Sequence, residues 1–163
     1  MPKKSESQMV EFSIEPRKTA VIAIDLQNCF VENSPYAAPS ALRVVEQLNA
    51  LTMHYRAAGS TIIWTRHVVR AYHSDLGVLG QTMPPVTQGV IDDGTASSAL
   101  HPNVEVQAGD IVLNKPQFGA FSSTGHSNRS CGRVGLTPSS SEELQQTSVA
   151  RPQRVRLTLV SSG

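Results

Sequence analysis

Two short apolar runs set the strongest limit on how this chain can fold. Residues 19–27, TAVIAIDLQ, and 60–68, STIIWTRHV, are rich in Val, Ile, Ala and Thr and carry almost no polar alternation until each reaches its end. Runs of this kind are strands buried on both faces, the situation of a parallel sheet covered by helices. Residues 40–59, SALRVVEQLNALTMHYRAAG, lie between them. Leu42, Val45, Leu48, Leu51 and Tyr55 fall three or four apart there, which predicts an amphipathic helix with Ser40 as N-cap and Gly59 as its stop. Strand, helix and strand with short joints predict a right-handed βαβ unit.

A third strand is expected in GDIVLNKP, residues 109–116, ending at Lys115. Open α/β sheets bind their ligands beyond the carboxyl ends of the strands. Asp25 and Lys115 both stand at such ends, and both are candidates for chemistry. Residues 69–109, with Pro84, Pro85, Gly89, Gly94 and Pro102, read as a long irregular stretch that covers a substrate or contacts another subunit.

Composition narrows the function class. A net charge of +1 over 163 residues gives no electrostatic footprint for nucleic acid or a membrane surface. No apolar run approaches the ~20 residues of a membrane span. Residues 1–16 read as a polar N-terminal arm without the apolar core of a secretory signal. Cys29 and Cys131 form neither a disulfide framework nor a zinc pattern, so a cytoplasmic protein is expected.

AVIAIDLQNCF, IIWTRH and GDIVLNKPQFGAFSSTG together resemble the isochorismatase-like cysteine hydrolases, over residues 17–125. The resemblance implies a Rossmann-like three-layer α/β/α fold with a parallel sheet, incomplete at the C-terminus. It also implies cleavage of a C–N bond in a small amide or ureido compound, without a cofactor and with possible homo-oligomer formation. In such enzymes a cysteine thiolate attacks the carbonyl carbon, a carboxylate shuttles the proton, and a lysine favours the thiolate. Asp25 matches the carboxylate and Lys115 the lysine. The resemblance further implies a substrate pocket near Gln27, Trp64, Phe118 and Phe121. Phe118 and Phe121 would flank a small substrate, while Trp64 and Phe121 serve as core or pocket walls rather than in the chemistry.

The nucleophile of the family stands a little over thirty residues after the lysine, in a Gly-Val-x-Thr-Asn-x-Cys turn. The chain has no such turn, and Cys131 falls too early. Read one nucleotide out of register, however, Glu142 to Ala150 permits Gly-Val-Ala-Thr-Asn-Val-Cys-Cys. The first of those cysteines falls 33 to 34 positions after Lys115. Residues from about Gly125 onward are therefore expected to be a frame-shifted translation. Their composition agrees: five of the ten arginines and eight serines lie in residues 125–163, with no Phe, Trp, Tyr, Ile or Met. Residues 126–163 are expected to be a loose tail outside the family domain, with at most an edge strand in VRLTLV, 155–160. An uncovered sheet edge, marginal stability and aggregation are expected in consequence.

The remaining candidates receive quieter readings. Cys29 is a packed or partly exposed thiol with nothing placed to activate it. His67 and His73 stand where some relatives bind a metal, but Gln27 occupies the position of the histidine that should accompany them, so no metal is expected. Two rival functions stay open. One is a vinyl-ether hydrolase of the isochorismatase type, which needs no cysteine. The other is a non-catalytic remnant that binds a small molecule or an intact subunit.

Overall fold

The computed structural model describes residues 14–116 and the backbone of residues 157–161. Its sheet has strands β1 (Thr19–Ile24), β2 (Thr61–His67), β3 (Ile111–Lys115) and β4 (Leu157–Ser161), in the order β3-β2-β1-β4. The first three are parallel: Ile24 of β1 stands beside Thr65 of β2, and His67 of β2 beside Lys115 of β3. The architecture is the expected Rossmann-like α/β. β1 lies between two neighbours and is almost wholly buried, as its unalternating sequence requires.

The helix predicted over 40–59 is α2, Ala41–Ala57, following the four-residue α1, Asn28–Val31. α2 stops for a definable reason. The N–H of Ser60 donates to the carbonyl of Tyr55 and that of Gly59 to the carbonyl of Arg56, while Gly59 turns left-handed at φ +89°. This is the paired closure that a glycine permits without a Cβ clash. Ser40 sits at the N-cap but makes no capping bond with its side chain.

α2 buries Ala41, Val45, Leu48 and Thr52 against Val21, Ala23, Ile62 and Trp64 on one face of the sheet. Leu51 and Tyr55 pack at the margin of that cluster. Leu42, expected in the core, is 42% exposed. The stripe keeps the expected phase at Val45 and Leu48; at its ends Ala41 and Thr52 are the buried residues in place of Leu42 and Leu51, and Thr52 donates its hydroxyl to the carbonyl of Asn49. The opposite face carries Ala20, Ile22 and Ile63, with Ile24, Ile111 and Leu113 partly buried.

The stretch after β2 contains α3 (Leu79–Thr82) and short turns, as its prolines and glycines foretell. It is nevertheless pinned down. Cys29, Phe30, Val69, Val86 and Ile91 form a third apolar cluster that joins it to α1. Backbone bonds from Asn28 to Ala99, Cys29 to Ser97 and His101 to Leu26 hold it across the end of β1. Buried His101 adds its Nε2 to Glu32 at 2.9 Å.

β4 overlaps VRLTLV, residues 155–160, where at most an edge strand is expected, and pairs antiparallel along β1, from Thr19 opposite Ser161 to Ala23 opposite Leu157. The unmet N–H and C=O groups of a central strand provide the pairing template. No helix among the described residues is long and apolar enough to cross a membrane.

Candidate active site

β1 and β3 deliver the two candidate groups to one point, from either side of β2. Lys115 closes β3, and its Nζ donates to Asp25 Oδ2 at 2.7 Å. The lysine side chain is 2% exposed and the aspartate 19%, so the pair is closed around the ammonium and open on the carboxylate side. At this depth a lysine charge requires a partner, and Asp25 supplies one.

Asp25 reaches Lys115 through a backbone exception. Strand alternation sends Ile24 to the face of Ala20 and Ile22, and would send the next side chain to the α2 face. Asp25 has φ +57°, which interrupts the strand. Left-handed backbone is uncommon for a residue with a Cβ, although aspartate tolerates it better than most. Two bonds from its own N–H hold it there, to Thr65 O at 3.1 Å and Thr65 Oγ1 at 3.3 Å. Thr65 Oγ1 donates in turn to Asp25 Oδ1 at 2.8 Å. Both carboxylate oxygens are therefore tied to other strands, one to β2 and one, beyond it, to β3.

His67 stands beside this pair, paired in register with Lys115 and only 3% exposed. Burial and the nearby Lys115 charge push its imidazole down to about 4, against the opposing pull of Asp25 and a hydrogen bond at the Pro116 backbone. It is a neutral ring near neutral pH. His73 lies elsewhere, with its Nε2 3.0 Å from Asp92 Oδ1 in the loop after β2. Among the described residues, no group of three or more His, Cys, Asp or Glu is arranged to hold a metal.

Of the residues assigned to the substrate, Gln27 is wholly buried and its amide is engaged by backbone. Its Nε2 donates to His67 O at 3.0 Å and Ser98 O at 2.8 Å, and its Oε1 accepts from His67 N at 2.6 Å. It clamps the ends of β1 and β2 to the loop near Ser98. Trp64 is likewise fully buried, on the α2 face, with its indole N–H on Asp110 Oδ2 at 2.9 Å. Burial would raise the Asp110 carboxyl, but hydrogen bonds from Arg56 and Trp64 outweigh it and hold the group below its ordinary value. Phe118 and Phe121 lie outside the described residues, as do Cys131 and residues 142–150, which carry the shifted-frame turn. Cys29 is buried; desolvation, aided by the Asp25 charge, pushes its thiol up to about 12, so it offers no thiolate to the site.

Thr65 escaped the sequence reading. The available signal was a hydroxyl residue at the end of a buried apolar strand, on the strand that separates the two flagged neighbours.

A parallel α/β sheet that gathers a carboxylate and an ammonium at its strand ends is the general form of a doubly wound ligand-binding domain. Residues 19–129 match the Isochorismatase domain, and the chain belongs to that family. It is 29% identical over 143 residues to ureidoacrylate amidohydrolase RutB of Klebsiella pneumoniae subsp. pneumoniae, covering 76% of this chain and 59% of that protein. It is also 29% identical over 109 residues to maleamate amidohydrolase of Pseudomonas putida, covering 66% of this chain and 51% of the relative. The fold superimposes on a cysteine hydrolase from Pseudomonas syringae pv. phaseolicola with a TM-score of 0.71 at 26% identity, over 80% of this chain and 61% of that one. The chain thus spans about six tenths or less of the curated relatives' length.

Proposed function

We propose that this domain is the scaffold of a cysteine hydrolase for the C–N bond of a small amide or ureido compound, and that the chain as written does not turn over. The observation that carries the reading is the 2.7 Å contact between Asp25 and Lys115, from strand ends on either side of β2. In an in-frame chain the cysteine of the expected turn would give its proton to Asp25 and attack the substrate carbonyl as a thiolate. Lys115 would favour the negative charge. Asp25 would return the proton to the departing nitrogen, then take one from the water that cleaves the thioester. The substrate class follows the relatives, which are named for ureidoacrylate and maleamate.

Inactivity follows from the sequence after Gly125. It offers no Gly-Val-x-Thr-Asn-x-Cys turn in its own frame and permits one in the next. Loss of a nucleophile typically removes most of an acceleration of ~10⁶-fold or more. The test is release of ammonia from ureidoacrylate and maleamate, and of pyruvate from isochorismate, by the purified chain. No turnover on any of them is expected. Amide turnover that disappears in Asp25→Asn would refute the inactivity; turnover of isochorismate alone would favour vinyl-ether cleavage. Reading the gene across codons 122–130 tests the frame, and a nucleotide sequence with no family-like alternative there would remove that part of the proposal.

A further inference from the structure

We propose that Thr65 is a positioning residue of this site: its hydroxyl fixes the plane of the Asp25 carboxylate, so that Oδ2 stays on Lys115 while one side of the group remains open. This deepens the proposed function and rests on the Asp25–Lys115 pair acting as catalytic machinery.

The geometry is reciprocal. Thr65 is fully buried, and its hydroxyl has a single proton. That proton goes to Asp25 Oδ1 at 2.8 Å, while Oγ1 and the Thr65 carbonyl accept from the Asp25 N–H at 3.3 and 3.1 Å. One residue therefore holds both the backbone and the side chain of Asp25. The need for it follows from the φ of +57°, because a left-handed residue just past a strand end persists only where its surroundings over-determine it. With a single contact the carboxylate could rotate about its Cβ–Cγ bond, a broad, soft torsion. With Oδ1 on β2 and Oδ2 on β3, rotation would break at least one bond. Each oxygen keeps a further lone-pair position, enough to receive a proton without releasing Thr65 or Lys115. A general base needs this combination of fixed direction and free capacity.

The experiment uses the full chain and needs no turnover. With lysine labelled by nitrogen-15, the Nζ resonance of a buried, hydrogen-bonded ammonium is visible at neutral pH, because exchange with water is slow. We expect a resolved Lys115 signal in the parent, its loss in Asp25→Asn and in Thr65→Val, and its return in Thr65→Ser, which restores the hydroxyl. Methyl resonances of Val45 and Leu48, on the opposite face of the sheet, report that each variant is folded. Should Thr65→Val not fold, Thr65→Ala removes the same hydroxyl with less crowding. A Lys115 signal unchanged by Thr65→Val but lost in Asp25→Asn overturns the role of Thr65 and leaves the pair standing. A signal unchanged by Asp25→Asn overturns the pair itself, and with it the functional reading. Loss of the signal in Thr65→Ser as well as Thr65→Val reduces Thr65 to a packing residue.

Discussion

Replacing Asp25 by Asn should destabilise this fold far more than replacing Lys115 by Met, although each removes half of the same ion pair. Asn keeps an oxygen for Thr65 and nearly the same volume, so the substitution isolates the charge. It leaves the Lys115 ammonium 2% exposed with its carboxylate gone. Removing the countercharge of one member of a buried pair typically costs about 3–5 kcal/mol, a large share of the ~5–15 kcal/mol that holds a domain together. The fall in Tm at this chain length is about 6–20 °C. Lys115→Met instead orphans a carboxylate that is 19% exposed and keeps its Thr65 donor at 2.8 Å, so water recovers part of its solvation. The double variant should be more stable than Asp25→Asn alone, because a Met beside an Asn leaves no buried charge. Urea unfolding of the four proteins closes the cycle, and a coupling of about 2 kcal/mol or more is expected. A cost below about 1 kcal/mol for Asp25→Asn, with no coupling to Lys115, would show a hydrated pair and refute the reasoning.

Three further outcomes follow from other parts of the fold. Cys29, with its thiol pushed to about 12, carries about a thousandfold less thiolate at pH 8 than a thiol at 9.0; alkylation mapped by mass spectrometry should miss it in the folded chain and reach it in urea. Gly59→Ala places a Cβ at φ +89° and 3.3 Å from Arg17 Cγ, and should cost about 1–2 kcal/mol in urea unfolding, chiefly as left-handed strain. His67 adds a pH dependence. Its folded value of about 4 lies below the ordinary 6.5, so the unfolded chain binds the proton more readily. Stability should be unaffected by this group above pH 6.5 and fall by about 1.4 kcal/mol per unit as pH drops toward 4. His67→Asn should flatten that interval; an unchanged slope would place the titration elsewhere.

The inner strands β1 and β2 were legible because they are buried on both faces. TAVIAI and TIIWTRH show no alternation to confuse with a helix, and Gly59 marks the end of α2 where a left-handed residue is needed. Asp25 and Lys115 were legible as strand-end residues, but their contact was not. Ninety residues separate them, and only the order β3-β2-β1, with Thr65 standing between, brings them together. Thr65 was missed because a threonine in a β-strand is ordinary, and its partner is set by the irregular backbone of Asp25. The resemblance implies a substrate pocket near Gln27 and Trp64, with Trp64 as a core or pocket wall. In the fold, Gln27 satisfies backbone groups at a chain crossing, and Trp64 fills the space under α2 with its N–H on Asp110. Leu42 fails for a different reason: in the first turn of α2 the adjacent apolar residues Ala41 and Leu42 compete for the buried face, and Ala41 takes it.

The most direct measurement is made on the polypeptide obtained by restoring the shifted frame from about Gly125, with ammonia release from ureidoacrylate and maleamate as the readout. The account predicts turnover of at least one of these amides, abolished in Asp25→Asn and absent from the chain as written. A folded, frame-restored protein that releases no ammonia from either, or whose release is indifferent to Asp25, would contradict it.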